Sequence, residues 1–224
     1  METKTEIETG NDKNPSLLGM ISSPSIQLER MKTKTPVAFP LIIMLIITAV
    51  TGALVSYVSL GNPLFKEAAA ASGDKLPINL AIGAGVFGSI FGGVIVYLIA
   101  AGFYKLFMVI FGNDTSYKKL FTLVIFTSII TSLGLLVNGL IALAAGGYEP
   151  IYTSLAPLAG SNKLLSGILK NFDIFTIWYY VVLALGFRIV AGLSKNKAIL
   201  IVVVVFLISI GFNSLSGLLA VSGV

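Results

Sequence analysis

DIFTIWYYVVLALGFR, running from Asp173 to Arg188, is the stretch on which the architecture of this chain turns. Its charge-free interior is short for a membrane span, which needs roughly 20 apolar residues to cross a hydrocarbon core about 30 Å thick. Extended to Phe172–Val190, it spans if both charges sit at the interfaces. Arg188 can snorkel to water, and Asp173 at the helix N-terminus is a cap favoured by the macrodipole. Trp178, Tyr179 and Tyr180 belong to the residue types enriched at membrane interfaces. Counting this stretch as a helix gives five spans; discarding it gives four.

Around it lie four longer stretches without any charge: Thr35 to Phe65, Leu76 to Tyr104, Leu120 to Tyr148 and Ala198 to Val224. With the short stretch they predict an all-α, polytopic membrane protein, a bundle of five transmembrane helices near residues 39–60, 78–104, 120–143, 172–190 and 198–219. The composition agrees. Of 224 residues, 56% are hydrophobic and 11% charged, where an ordinary globular chain carries about 25% charged residues. Mean hydropathy is +0.95.

The basic residues orient the bundle. Eleven of the fifteen Lys and Arg precede the first span or fall in the second and fourth connections. They include Arg30, Lys32, Lys34, Lys118, Lys119, Arg188, Lys195 and Lys197, read as cytoplasmic basic anchors. By the positive-inside rule the N-terminus is cytoplasmic and the C-terminus outside. Deleting the fourth span would reduce the split to eight against seven, so the charge asymmetry supports five helices. It also accounts for the net charge of +5 without nucleic acid, because the basic excess decorates membrane flanks and builds no basic domain.

Residues 1–22 are polar and mixed in charge, and predict a disordered cytoplasmic tail. Glu2, Glu6 and Glu8 spoil the positive region of a signal peptide. Residues 23–38 predict a cytoplasmic interfacial helix, with Ser23 as cap, Pro24 at the first helical position, and Ile26, Leu28 and Met31 set among polar residues. Residues 39–224 form the membrane domain. The connection at 144–171 carries Leu155, Leu158, Leu164, Leu165, Ile168 and Leu169, and its Lys163–Lys170 segment reads as an outer interfacial helix or a binding element.

Small residues crowd the second span. Gly88 and Gly92 form a GxxxG, and Ala81, Gly85, Ser89 and Gly93 form a second ribbon at four-residue spacing. Such ribbons let helix backbones approach where lipid provides no hydrophobic drive. They predict helix packing, within the bundle or between copies, and a central place for the second span. Asn138 in the third span and Asn213 in the last are the polar intramembrane candidates; interhelical hydrogen bonding is the simpler reading, a solute-path lining the other.

Catalytic equipment is sparse. The chain has no His and no Cys, which excludes a histidine triad, a thiol nucleophile, a Cys/His zinc site and disulfides. No span has an ionisable residue at its centre, as coupled carriers usually require. Gly83–Gly88 matches GxGxxG in form only, lying in an apolar span with no strand or acidic ribose partner. Asn113-Asp114-Thr115 is a formal glycosylation sequon that the topology places in the cytoplasm. No enzyme activity, cofactor or metal is expected.

Several strings, taken in order, resemble the Yip (Ypt-interacting-protein) family in its bacterial form: Ser23-Pro24 with Ile26, Glu29 and Arg30; Gly112 to Phe121; Phe172 to Trp178; and Leu193 to Ala198. The resemblance implies a five-helix membrane protein without established catalytic residues. Eukaryotic relatives are linked to vesicle trafficking and prenylated small GTPases. The Asp-Leu-Tyr-Gly-Pro string typical of them is missing here, so that role is not carried over. Some bacterial relatives are thought to accompany membrane transporters. The resulting expectation is a bacterial cell (plasma) membrane scaffold or accessory protein. Its expected partners are the lipid bilayer and other membrane proteins, either an ABC-type transporter or a second copy. The alternatives are a small solute channel or carrier, and a sensor of lipid or envelope stress.

Overall fold

A computed structural model describes residues 13–71 and 77–222. Among them the regular secondary structure is α-helical apart from a short 3-10 turn, Ala156–Ala159, and one isolated β-bridge between Ser154 and Asp173. The nine α-helices, in chain order, are α1 (Leu17–Ser22), α2 (Pro24–Met31), α3 (Ala38–Ser59), α4 (Pro63–Ala71), α5 (Ile78–Ile110), α6 (Tyr117–Ala145), α7 (Lys163–Leu169), α8 (Ile174–Ile189) and α9 (Lys195–Ser222).

Helices α3, α5, α6 and α9 are long and apolar enough to cross a membrane. Helix α8, at 16 residues, is about 24 Å long at 1.5 Å per residue, short of the ~30 Å core. Helix α5 has 33 residues, about 50 Å, and runs past Tyr104, where the first charge of the following connection suggested an end. The charge does not end it: the residues beyond, Leu106 to Ile110, are apolar again, and the Lys105 ammonium donates to the Thr115 carbonyl at 2.9 Å. Beyond Ile110 it stops at Gly112, whose φ of 64° turns the chain left-handed. The Asn113 N–H then reaches back to the Met108 carbonyl at 2.8 Å, a Schellman-type ending. Helix α6 stops the same way at Gly146, φ 66°, with the Gly147 N–H on the Ala142 carbonyl at 2.8 Å.

Two helices lie where the sequence suggested none. Helix α1 falls inside the expected tail, whose first twelve residues are outside the described ones. It forms because the Ser16 hydroxyl caps the Gly19 N–H at 3.2 Å while Leu17 and Met20 are buried. Helix α4 follows the first span directly. Helix α2 begins at Pro24, but Ser23 makes no side-chain cap bond; its N–H instead closes α1 on the Gly19 carbonyl at 2.8 Å. Leu28 and Met31 of α2 are fully buried in the protein and Ile26 is exposed, so this helix turns most of its apolar side inward, not toward lipid.

The chain divides into two compact units. In the first (Met1–Met44, Val96–Ile130 and Trp178–Val205), Met20, Leu28, Met31, Met44, Tyr104 and Phe126 are fully buried or nearly so. The Tyr104 ring meets Phe187 edge-on at 5.0 Å between centroids, and its hydroxyl lies 3.3 Å from that of Tyr179. Gly186 leaves room for Leu123, whose Cδ1 would lie 2.5 Å from an added Cβ. Helix α8 is thereby packed against both α5 and α6. Near the helix ends, the Asn113 amide donates to the Ala191 carbonyl at 2.8 Å.

The second unit comprises Leu45–Ile95, Thr131–Ile177 and Phe206–Val224. Here α3 and α5 meet through small residues. A Cβ on Gly52 would strike Ser89, one on Gly85 would strike Ser56, and one on Gly93 would touch Thr48 at 3.5 Å. The ribbon Gly85, Ser89, Gly93 therefore packs on a matching ribbon of α3, with Ala81 half-buried at its start. Gly88 and Gly92 are different: nothing lies within 4 Å of an added Cβ at either position.

The helix most enclosed by protein is α6. Of its apolar stretch 72% is buried, against 11% for α5, 17% for α3 and 11% for α9. The central place expected for the second span thus belongs to the third. Five polar side chains on α6, Thr122, Thr127, Ser128, Ser132 and Asn138, are all buried; Thr122, Thr127 and Ser128 bond back to carbonyls of their own helix, and Asn138 reaches across to Thr153. The glycines of α5 are tolerated by lipid as well as by a neighbour.

Candidate functional site

Polar chemistry in the second unit gathers where the end of α6, the connection 146–172 and the start of α8 come together. Asp173 precedes α8, and its Oδ1 accepts from the Phe175 N–H at 2.9 Å and the Thr176 N–H at 3.0 Å. Its Oδ2 accepts from the Thr153 hydroxyl. Thr153 is held in turn by Asn138 of α6. The Asn138 amide donates to the Thr153 oxygen at 2.5 Å and to the Gly134 carbonyl at 3.0 Å, and its Oδ1 accepts from the Thr153 N–H at 2.8 Å. Backbone bonds brace the same strip: the Leu155 N–H donates to the Phe172 carbonyl at 3.2 Å. Asn138 is 4% and Asp173 8% exposed, so these bonds are formed away from water, where leaving either end unmade costs about 1–3 kcal/mol.

A second cluster stands two residues earlier. Asn171, 2% exposed, accepts at Oδ1 from the Ser209 hydroxyl at 2.8 Å and the Asn213 amide at 2.9 Å. Its own amide donates to the Gly167 carbonyl at 2.9 Å. Gly167 lies so close to α9 that an added Cβ would sit 2.5 Å from the Asn213 carbonyl oxygen. The two intramembrane asparagines read from the sequence are therefore not brought together. Asn138 serves Thr153 and Asn213 serves Asn171, and the connection 146–172 supplies both partners. Neither partner was legible as such, because Thr153 and Asn171 sit in a connection with no pattern to mark them.

Beside the first cluster is a half-open cavity of about 220 Å³. Thr131, Leu135 and Asn138 of α6 form one wall; Pro150, Ile151 and Ser154 of the connection form another. Lys170, Asp173, Phe175 and Thr176 complete it. Gly134 admits Phe175 here, whose Cβ would be 2.7 Å from a side chain at that position. The Thr153 hydroxyl donates to the Asp173 carboxylate and accepts from the Asn138 amide, so both of its hydrogen-bonding roles are used within the cluster. Among the described residues no cluster of His, Cys, Asp or Glu is placed to hold a metal.

The basic anchors are dispersed. In the first unit the Lys197 ammonium donates to the Phe111 carbonyl at 3.4 Å and lies 5.1 Å from the centroid of that ring. Arg30 donates to the Gln27 amide oxygen at 3.2 Å, and Lys32 pairs with Glu29 at 2.7 Å. Lys118, Arg188 and Lys195 are exposed; Lys34 and Lys119 are half-buried. The sequon asparagine, Asn113, spends its amide on Ala191 and its oxygen on the Thr115 N–H.

A bundle of long apolar helices with its polar side chains turned inward is an integral membrane protein. The Yip1 domain family matches residues 18–215, and the chain belongs to the Yip family. It is similar to the membrane protein YknW of Bacillus subtilis (strain 168), being 38% identical over 193 residues, 83% of each chain. No solved structure matches it.

Proposed function

We propose that this chain is a non-enzymatic scaffold of the cell membrane that assists assembly or activity of a membrane export or transport complex. In this reading it crosses the bilayer five times, with the N-terminus in the cytoplasm and the C-terminus outside. The observation that carries it is where polarity is spent. In the four long helices every charged side chain lies near a helix end, and the buried asparagines bond to other protein groups. Coupled carriers need intramembrane polarity turned to a pathway; here it is turned to cohesion. The uncovered GxxxG face of α5, with Phe87 and Phe91 exposed beside Gly88 and Gly92, offers a neighbouring transmembrane subunit a close approach. Packing of α8 against α5 and α6 supports counting it as a span despite its length.

The chain has no native cysteine, so one introduced thiol is unique. Gly88→Cys and Gly92→Cys should crosslink in native membranes to a transporter subunit, and Gly85→Cys should not. A crosslink only to a second copy would reassign the face to self-association. Recovery of a lone monomer from both variants, and from mild-detergent purification, would count heavily against the scaffold. Reporter fusions at Asp114, Gly160 and Lys195 should read inside, outside, inside; an outside signal at Lys195 would remove α8, the fourth of the five spans. The cavity beside Asn138 favours one rival, a solute carrier, and flux through purified protein in vesicles, abolished by Asn138→Leu, would put that rival first.

A further inference from the structure

The cavity between α6, the 150–154 segment and the start of α8 is lined by two residues of opposite charge that form no ion pair. Lys170 and Asp173 both line it, yet no ion pair joins them; among the described residues the ion pair found is Lys32–Glu29. Asp173 is nine-tenths buried and takes its hydrogen bonds only from uncharged donors, two backbone N–H groups and the Thr153 hydroxyl. A carboxylate offers about four lone-pair sites, and three are used. A buried carboxylate without a cation is a costly arrangement, and the remaining acceptor site at Oδ2 can take a donor of positive charge. Lys170 is exposed and its side chain forms no hydrogen bond among the described residues. Leu135, Ile151 and Phe175 give the wall an apolar part, suited to a carbon chain between the two charged ends, and Thr131, Ser154 and Thr176 add hydroxyls beside it. A volume of about 220 Å³ is room for roughly seven waters at ~30 Å³ each, the scale of a phospholipid headgroup.

We propose that this cavity binds a zwitterion carrying a primary ammonium and an anionic group, the phosphoethanolamine unit being the type. The ammonium is bound by Asp173 and the anion by Lys170. That chemistry has two sources, the headgroup of a phosphatidylethanolamine lipid or a free amino-phosphate. Leu135 is 44% exposed at the rim, which leaves the cavity a side open to acyl chains. Asn138 and Thr153 are positioning residues that hold the Asp173 carboxylate.

The test uses the purified full chain in nanodiscs, read by thermal unfolding and by native mass spectrometry. Phosphatidylethanolamine should bind saturably and raise the unfolding temperature, and phosphatidylglycerol should not. Soluble glycerophosphoethanolamine added to phosphatidylglycerol nanodiscs separates the sources: an equal effect assigns a free solute, and no effect assigns the lipid. Lys170→Ala should weaken binding about tenfold or more, the scale of one lost charge-assisted hydrogen bond, with the unliganded unfolding temperature unchanged and Lys170→Arg retaining affinity. Asp173→Asn should abolish preference for the ammonium-bearing lipid. If that variant does not fold, the lysine pair still decides. Equal binding of both lipids, or unchanged affinity in Lys170→Ala, overturns the proposal.

Discussion

Helices α5 and α6 have nearly the same length and the same lack of charge inside their spans, but they occupy opposite environments. α6 has 72% of its apolar stretch buried and α5 has 11%. Their sequences suggest the reverse, because α5 carries the small-residue ribbons that favour close packing. A glycine permits contact without demanding it, whereas a hydroxyl or amide in a membrane demands a partner. In α5 one ribbon is used against α3 and the other is left open. In α6 Thr127 and Ser128 bond back to their own helix, and Asn138 reaches across to Thr153.

Six substitutions can break or sharpen that contrast, each measured as unfolding free energy in detergent. The largest effect is expected from Phe126→Ala on α6, a fully buried ring, at about 3–5 kcal/mol. Phe91→Ala on α5, where the ring is 62% exposed, should stay within about 0.5 kcal/mol; equal losses would mean that α5 is covered in solution. Next, Gly85→Leu should cost about 1–3 kcal/mol by driving α5 off Ser56, and Gly88→Leu should cost almost nothing. Comparable effects at the two glycines would show that both ribbons are engaged. Asn138→Leu strips Thr153 of its acceptor and should cost about 1–2 kcal/mol. Thr127→Val removes one back-bonding hydroxyl and should cost about 0.5 kcal/mol; a loss as large as that of Asn138→Leu would make the intrahelical bonds as important as the cross-segment ones.

The four long helices could be read from missing charge alone, since a span of twenty apolar residues has few other uses. Their ends could not. Lys105 and Lys197 lie inside helices because snorkelling and contacts with the Thr115 and Phe111 carbonyls let a helix outrun the hydrocarbon. Helix α1 was hidden because a cap such as Ser16 stands out only beside a periodic apolar run, and Leu17 and Met20 are too few to make one. At the site, an acid before an apolar run is a local signal, and Asp173 carries it. The partners of that acid are twenty and thirty-five residues away at Thr153 and Asn138, and no local spacing encodes such a meeting. The open face at Gly88 and Gly92 was equally illegible, because both ribbons of α5 look alike until α3 chooses one.

The order in which Asn138, Thr153 and Asp173 appear along the chain has a consequence for biogenesis. Asn138 and Thr153 leave the ribosome first, and Asp173 follows just ahead of the sixteen-residue helix α8. A segment that short partitions weakly into hydrocarbon on its own. If α8 is a span, as proposed, closure of the three-residue lock comes after it enters the membrane, and would then work as a ratchet on a marginal insertion. Chains that fail to close it would be the ones exposed to quality-control proteases, even though every other hydrophobic segment had inserted normally.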